Sequence, residues 1–168
     1  MLRYGSVETP VGKAWVLSNE RGIVTLDVGR TERRFLDDAQ ARFGERPARA
    51  ELPAASARRV RDAARAGDGS GVDWSVFPAF QRRVLRETAR IPAGTVRSYG
   101  WIANAIGSPR AARAVGTALA TNPVPLIIPC HRVVRGDGSL GRYSMGKGTE
   151  TKRSLLELEG ALEGALFT

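Results

Sequence analysis

Residues 98–121 read SYGWIANAIGSPRAARAVGTALAT. Ser98 has the short side-chain oxygen of a helix cap, and the residues after it predict a helix to about Ile106. Ile102 and Ala105 or Ile106 face inward in that helix, and Gly107 stops it. Ser108-Pro109 predicts a second start, with Ser as the cap and Pro in the first turn, opening a helix from Arg110 to about Thr121. Two short helices joined by a Gly-containing turn predict a helix-turn-helix. Arg110 and Arg113 stand three apart, on neighbouring positions of one face. Their neighbours are small: Ala111, Ala112, Ala114, Gly116, Ala118 and Ala120. Such a face suits close approach to a partner's backbone, and equally close packing on an adjacent helix.

Upstream, Pro78 predicts the first turn of another helix, with Phe77, Phe80, Val84 and Thr88 in line and Arg82, Arg83, Arg86 and Arg90 mostly on other faces. Ile91-Pro92-Ala93-Gly94 ends it. The segment 67–73, GDGSGVD, reads as a linker, and a short helix is expected near 55–66. At the other end, residues 2–9, 13–18 and 23–28 predict three strands separated by the turns Thr9–Gly12 and Asn19–Gly22. This is a small antiparallel meander. A helix over 31–43 follows, with Phe35, Ala39 and Phe43 on one face. The expected fold is α/β of the α+β kind. A sheet-bearing support domain would occupy residues 1–75 and a helical domain residues 76–168.

Composition narrows the partners. The chain of 168 residues carries a net charge of +9, and only Lys13, Lys147 and Lys152 of its basic residues are lysines. Residues 1–75 hold 13 basic and 11 acidic side chains, net +2; residues 76–168 hold 13 and 6, net +7. The electropositive half is the half with the helix-turn-helix, which favours a nucleic-acid partner. One Cys excludes a disulfide framework, and one Cys with one His excludes a zinc site of the usual ligands. No apolar run approaches the ~20 residues of a membrane helix. MLRYGSVETPVGK has no apolar core of a secretory signal, so a cytoplasmic setting is expected.

The chemistry concentrates in residues 122–134, NPVPLIIPCHRVV. The single Cys130 and single His131 are adjacent, and Arg132 follows. Alone, a Cys or a His is most often a packing residue. Together, a neighbouring imidazole and guanidinium favour the thiolate that a nucleophile requires. Neighbours on a strand point apart, so contact between Cys130 and His131 needs a turn or a bridging water. Pro123, Pro125 and Pro129 argue against regular sheet pairing and for an irregular, fixed segment. A base acting this way also wants an orienting acid. Asp137, Glu150, Glu157, Glu159 and Glu163 are available. Glu157 and Glu159 lie on the Leu155, Leu156 and Leu158 helix, and spacing does not choose between them.

NPVPLIIPCHRVV, with AARAVG before it and GRYS after it, resembles the O(6)-alkylguanine-DNA alkyltransferases, also called methylated-DNA–protein-cysteine methyltransferases. The similarity runs from about Phe77 to Gly160, and more weakly through the N-terminal meander. It implies that Cys130 accepts an alkyl group from guanine O6 by in-line displacement and keeps it, each molecule acting once. It implies His131 as the base through a water, Glu159 as its orienting acid (LLELEG matching the family's ending) and Asn122 as the residue holding the active-site turn. Tyr99 would press on the phosphate and donate to the base. Arg113, with Arg110 near it on the DNA face, would fill the gap left by the flipped nucleotide. The backbone of Cys130, Val133 and Ser144, with Tyr143 nearby, would line the guanine pocket. The implied partner is double-stranded DNA containing O6-alkylguanine, met by a monomer with no cofactor, no metal and no membrane. Two features depart from the pattern: Met145, and about two extra residues before Lys152-Arg153, both on the expected pocket rim. Three other readings use the same residues: a non-reactive binder of alkylated DNA, a Cys–His hydrolase, and a sequence-specific regulator with a structural Cys.

Overall fold

The computed structural model describes residues 1–161. Glu163, one of the candidate acids, lies outside the described residues. Three antiparallel strands open the chain: β1 (Arg3–Thr9), β2 (Gly12–Asn19) and β3 (Gly22–Val28). The sheet order is β3-β2-β1-β4, where β4 (Ala48–Arg49) is a two-residue strand parallel to β1 that the sequence did not announce. β2 alternates between two apolar faces rather than between core and solvent. Trp15 and Leu17 meet Phe35, Leu36 and Ala39 of α1 (Glu32–Phe43), while Ala14 and Val16 join the main core. Full burial of a side chain such as Leu17 stabilises by roughly 1.5–3 kcal/mol. Thr31 caps α1 by accepting from the Arg34 amide, and Gly44 closes it in the left-handed region that glycine adopts at no steric cost.

The second sheet face is covered by α2 (Ala54–Ala66) and by elements that follow it. Val16, Ile23 and Leu26 share one cluster with Val60 and Ala64 of α2, Val84 and Leu85 of α3 (Ala79–Ala89), Ile102 of α4 (Tyr99–Ala105), Val115 of α5 (Ala112–Ala120) and Leu155 of α6 (Thr149–Leu158). Two short strands, β5 (Arg97–Ser98) and β6 (Val133–Val134), pair in parallel beside α4. They bring the segment after the Cys-His pair against the start of the helix-turn-helix.

Four local expectations are corrected. The stretch 67–73 is no loose linker. Ile23 N donates to Gly71 O at 2.8 Å, the Asp73 amide donates to Ile23 O at 2.9 Å, and Gly69 donates to Ile127 O at 2.7 Å. A Cβ on Gly67 would lie 1.9 Å from Leu126 O, so only glycine permits this backbone-to-backbone approach. Pro78 precedes the first turn of α3 instead of entering it. Ser108 does not cap α5: its carbonyl accepts from Ala111 in a separate turn, and α5 starts at Ala112. Arg110 therefore stands in the turn, and it does not share a helix face with Arg113. Finally, Leu158 is 36% exposed, so the apolar side of α6 rests on Leu155 and Leu156. Elsewhere the helix-turn-helix holds its expected form, with Ser98 accepting from the Trp101 amide at 3.0 Å and Gly107 ending α4 at φ 75°.

Candidate active site

The segment from Asn122 to Arg132 has little regular pairing, and side chains hold it instead. Asn122 Oδ1 accepts from the Val124 amide at 3.0 Å, and its Nδ2 donates to Ile128 O at 3.1 Å. Between these anchors the chain reverses, with Ile128 N donating to Val124 O at 3.0 Å and Leu126 held at φ 69°. A positive φ is costly for a branched residue, of order 1–3 kcal/mol, and persists only where the surroundings over-determine it. Leu126 is wholly buried and its neighbour Ile127 accepts from Gly69, which supplies that constraint. Cys130, His131 and Arg132 form one tight helical turn, closed by Arg132 N donating to Pro129 O at 3.0 Å.

Behind the turn lies a buried hydrogen-bonded set of His131, Glu159 and Arg132. His131 Nε2 is 2.8 Å from Glu159 Oε1, and both side chains are wholly buried. This geometry makes Nε2–H the donor to the carboxylate and leaves Nδ1 as a lone-pair acceptor; Nδ1 is buried and has no partner among the described residues. Arg132 was expected to favour the thiolate beside it, but its guanidinium is directed elsewhere. Nε and Nη2 donate to the Glu159 carboxylate, at 2.7 Å for the shortest, and Nη1 donates to Gly67 O at 2.8 Å and Ile91 O at 2.7 Å. Of Glu157 and Glu159, Glu159, the residue that closes α6, is the one at the imidazole.

The charges follow from these contacts. Burial pushes the Cys130 thiol up from its ordinary value, and the Asn122 hydrogen bond and the Lys152 charge pull it only partly back. Burial lowers the His131 imidazole, against the opposing pull of Glu159. Burial alone would raise the Glu159 carboxyl, but bonds from His131 and Arg132 outweigh it and leave it below the usual carboxylate value. At neutral pH the resting set is thus a thiol, a neutral imidazole and a carboxylate.

Cys130 opens onto a cleft of about 810 Å³. One wall is α5, where Ala112, Gly116 and Ala120 keep the surface low and Arg113 stands exposed at the mouth. Tyr99 is half-buried at the start of α4, and a Cβ added to Gly116 would lie 3.9 Å from its ring, in ordinary contact. Burial, then the nearby Cys130, raises its phenol above the ordinary value. The opposite wall is the loop carrying Tyr143, Ser144 and Met145. Ser144 Oγ donates to Ala120 O at 3.2 Å and pins that loop to α5. The Tyr143 hydroxyl is buried without a partner among the described residues.

The structure therefore brings Tyr99, Arg113, Asn122, Cys130, Tyr143 and Ser144 to one cleft, with His131 and Glu159 behind it. Val133 is buried in β6 and does not line the cleft, and Arg110 lies outside it. Residues that sequence reasoning missed are Arg135 and Arg142 on the cleft rim and the buried Lys152. A signal for Lys152 existed: with Leu155, Leu156 and Glu159 it has the i, i+3, i+4, i+7 spacing of one helix face, which places a cation on an apolar stripe.

Comparison with known proteins agrees along the chain. Residues 2–57 match the family model of the 6-O-methylguanine DNA methyltransferase ribonuclease-like domain, and residues 79–161 that of the DNA binding domain of the same enzymes. A methylated-DNA--protein-cysteine methyltransferase of Sulfurisphaera tokodaii is 41% identical over 95% of this chain and 94% of its own length. One from Methanosarcina barkeri is 35% identical over 93% and 96%. The crystal structure of Mycobacterium tuberculosis O6-methylguanine methyltransferase superposes with a TM-score of 0.74 at 30% identity, covering 96% of this chain and 94% of that one. A structure of the Mycobacterium tuberculosis protein in complex with DNA gives 0.73, with 95% and 93% covered. No helix among the described residues is long and apolar enough to cross a membrane.

Proposed function

The chain belongs to the methylated-DNA–protein-cysteine methyltransferase family, and on that premise we propose that it repairs O6-alkylguanine in double-stranded DNA by taking the alkyl group onto Cys130. The observation that carries the reading is the continuous set of Cys130 on the cleft, His131 behind it with Nδ1 free, and Glu159 on Nε2.

The resting thiol is a poor nucleophile, so its proton must leave as the bond forms. His131 Nδ1 takes it through a bridging water, and the Glu159 carboxylate stabilises the imidazolium that results. The Cys130 sulfur attacks the alkyl carbon, the carbon–O6 bond breaks, and guanine leaves as its neutral form with a proton donated by Tyr99, whose phenolate then regains through solvent the proton held by His131. The product is a thioether. No group in the site can break it, so the reaction is stoichiometric and each chain acts once.

Guanine O6 is inside the duplex, so the nucleotide must be extruded, at a few kcal/mol and least for a weakly paired base. The low α5 surface of alanines and glycine supports close approach to a groove, and Arg113 at its edge fills the gap in the stack. Residues 76–168 carry these parts, and residues 1–75 support them. Met145 and the loop around it set the size of adduct the cleft admits. A lone thiol that must stay free supports a cytoplasmic setting.

Intact-mass measurement with peptide mapping, after mixing with an O6-methylguanine duplex, tests the reading. One methyl in place of hydrogen, on Cys130, at one per chain, is expected. Tight lesion binding with unchanged mass would replace it with a non-reactive binder.

A further inference from the structure

The mouth of the cleft carries positive charge that has no counter-charge among the described residues. Arg113 stands there on α5, and Arg135 and Arg142 stand beside the Tyr143 wall, all three exposed. Among the described residues, arginine ion pairs take up Arg30, Arg46, Arg49, Arg90 and Arg132, and none takes up these three. Arg135 has an acid two residues away, yet Asp137 is engaged within its own turn. Its Oδ1 accepts from the Ser139 amide at 2.9 Å and from the Ser139 hydroxyl at 2.7 Å. Arg135 closes the same turn with its backbone, its amide donating to Ser139 O and its carbonyl accepting from Gly138, each at 3.0 Å. The turn is thus fixed by bonds that leave the Arg135 guanidinium out.

Arg135 and Arg142 converge on Tyr99. A Cβ on Gly141 would lie 3.0 Å from the Tyr99 hydroxyl and 3.5 Å from Cγ of Arg135, so the phenol and the arginine stem meet over one bare Cα. Gly141 holds φ 75°, a conformation glycine adopts freely, and Arg142 follows it directly. Arg142 also stands on a fixed backbone, between buried Leu140 and Ser144, whose Oγ is bonded to Ala120 O at 3.2 Å. Two anchored arginines without counter-charge therefore flank the hydroxyl that meets the departing base. Like charges gathered at one mouth raise the local concentration of an anion there. Arginine's planar fork donates two parallel bonds to a phosphate.

We propose that Arg135 and Arg142 grip the two phosphates of the extruded nucleotide and hold it in the cleft. This rests on the reading of the cleft as the site that takes a flipped alkylguanine. The duplex meets α5, and Arg113 fills the gap in the stack, so neither accounts for the opposite rim. A nucleotide turned into the cleft carries its 5′ and 3′ phosphates to the mouth, where Arg135 and Arg142 stand. Contacts made only after extrusion lower the extruded state against the stacked one and offset part of the cost of unstacking. They go to phosphate, so they add no sequence preference.

The test compares the full chain with Arg135→Gln, Arg142→Gln and the double variant, all changes of exposed side chains. Three probes are used: an O6-methylguanine duplex, the same duplex undamaged, and the free base O6-methylguanine, which has no phosphate. For the double variant, the slope of log affinity against log salt should fall by about two with the lesion duplex and stay unchanged with the undamaged one. Single-turnover transfer from subsaturating lesion duplex should slow at least about tenfold, as affinity for the extruded state is lost. Methylation of Cys130 by the free base, followed by intact mass, should keep its rate. An equal fall in slope with both duplexes would overturn the proposal and leave two general backbone contacts. A free-base reaction slowed as much as the duplex reaction would also overturn it, because the arginines would then shape the cleft itself. Unchanged slopes and rates would sink it outright. If the unaltered chain takes no methyl from either the duplex or the free base, the acceptor reading has failed. The difference between the two salt slopes then still decides whether the arginines hold a flipped nucleotide.

Discussion

The sheet of residues 3–28 and the segment of residues 122–134 solve the same problem in opposite ways. In the sheet, backbone satisfies backbone: seven residue pairs join β1 to β2 and six join β2 to β3. In the active segment, scattered backbone bonds are supplemented by buried side chains. Asn122 supplies an acceptor and a donor, Arg132 meets two carbonyls, and Lys152 meets three. A ladder spreads its stability over many equivalent bonds. The active segment concentrates it in a few charged groups, whose loss leaves partners buried and unpaired. The first is tolerant and says little about chemistry; the second is fragile, and its shape is the chemistry.

The contrast can be broken or sharpened by substitution. The largest effect is expected at Arg132→Met, which strands the Glu159 carboxylate and the Gly67 and Ile91 carbonyls. Urea unfolding should show a loss of ~3–5 kcal/mol. A loss below ~1 kcal/mol would mean that side chains do not carry the segment. Glu159→Gln comes next. It removes the charge that stabilises an imidazolium, so single-turnover transfer should slow by on the order of 10²- to 10⁴-fold while lesion affinity is kept. In the sheet, Leu17→Ala should cost ~2–5 kcal/mol in melting or urea measurements, yet leave the transfer rate per folded molecule unchanged. A slowed rate there would show that the sheet shapes the site after all.

Acid should separate the two regions as well. The folded-state imidazole lies below its ordinary 6.5, so the unfolded chain binds the extra proton first. Stability is lost as pH falls below about 6.5, and again below about 4.5 as the unfolded counterpart of Glu159 protonates first. In His131→Gln the first loss should vanish from urea midpoints measured between pH 7 and 5. The smallest effect belongs to the sheet's edge. Arg49 pairs with Glu32 at 3.1 Å in solvent, and Arg49→Ala should cost less than ~0.5 kcal/mol.

The same contrast governs what could be read in advance. The strands and their turns were legible because Thr9–Gly12 and Asn19–Gly22 punctuate apolar runs, and ladders need only the right period. The helix-turn-helix was legible from Ser98 and Gly107. Its second start was not, because Ser108-Pro109 has the composition of a cap while Ser108 accepts through its backbone. GDGSGVD looked like a linker because small residues serve flexibility and close packing alike. At the site, Cys130, His131 and Glu159 were found from adjacency and family pattern. Where the Arg132 guanidinium points was not, because its acceptors are carbonyls at positions 67 and 91, which a sequence does not mark.

Gly67 gives the active segment a clock. Its bare Cα lets residues 67–69 lie flat on 126–127, and Gly69 N–H is enclosed by that contact, donating to Ile127 O. Leu26 N–H likewise donates to Pro123 O, from the edge of the sheet. Neither amide can meet solvent unless the segment that carries Cys130 lifts away. Their deuterium exchange therefore times the opening of the site from two positions remote in sequence, and the two should exchange at a common rate.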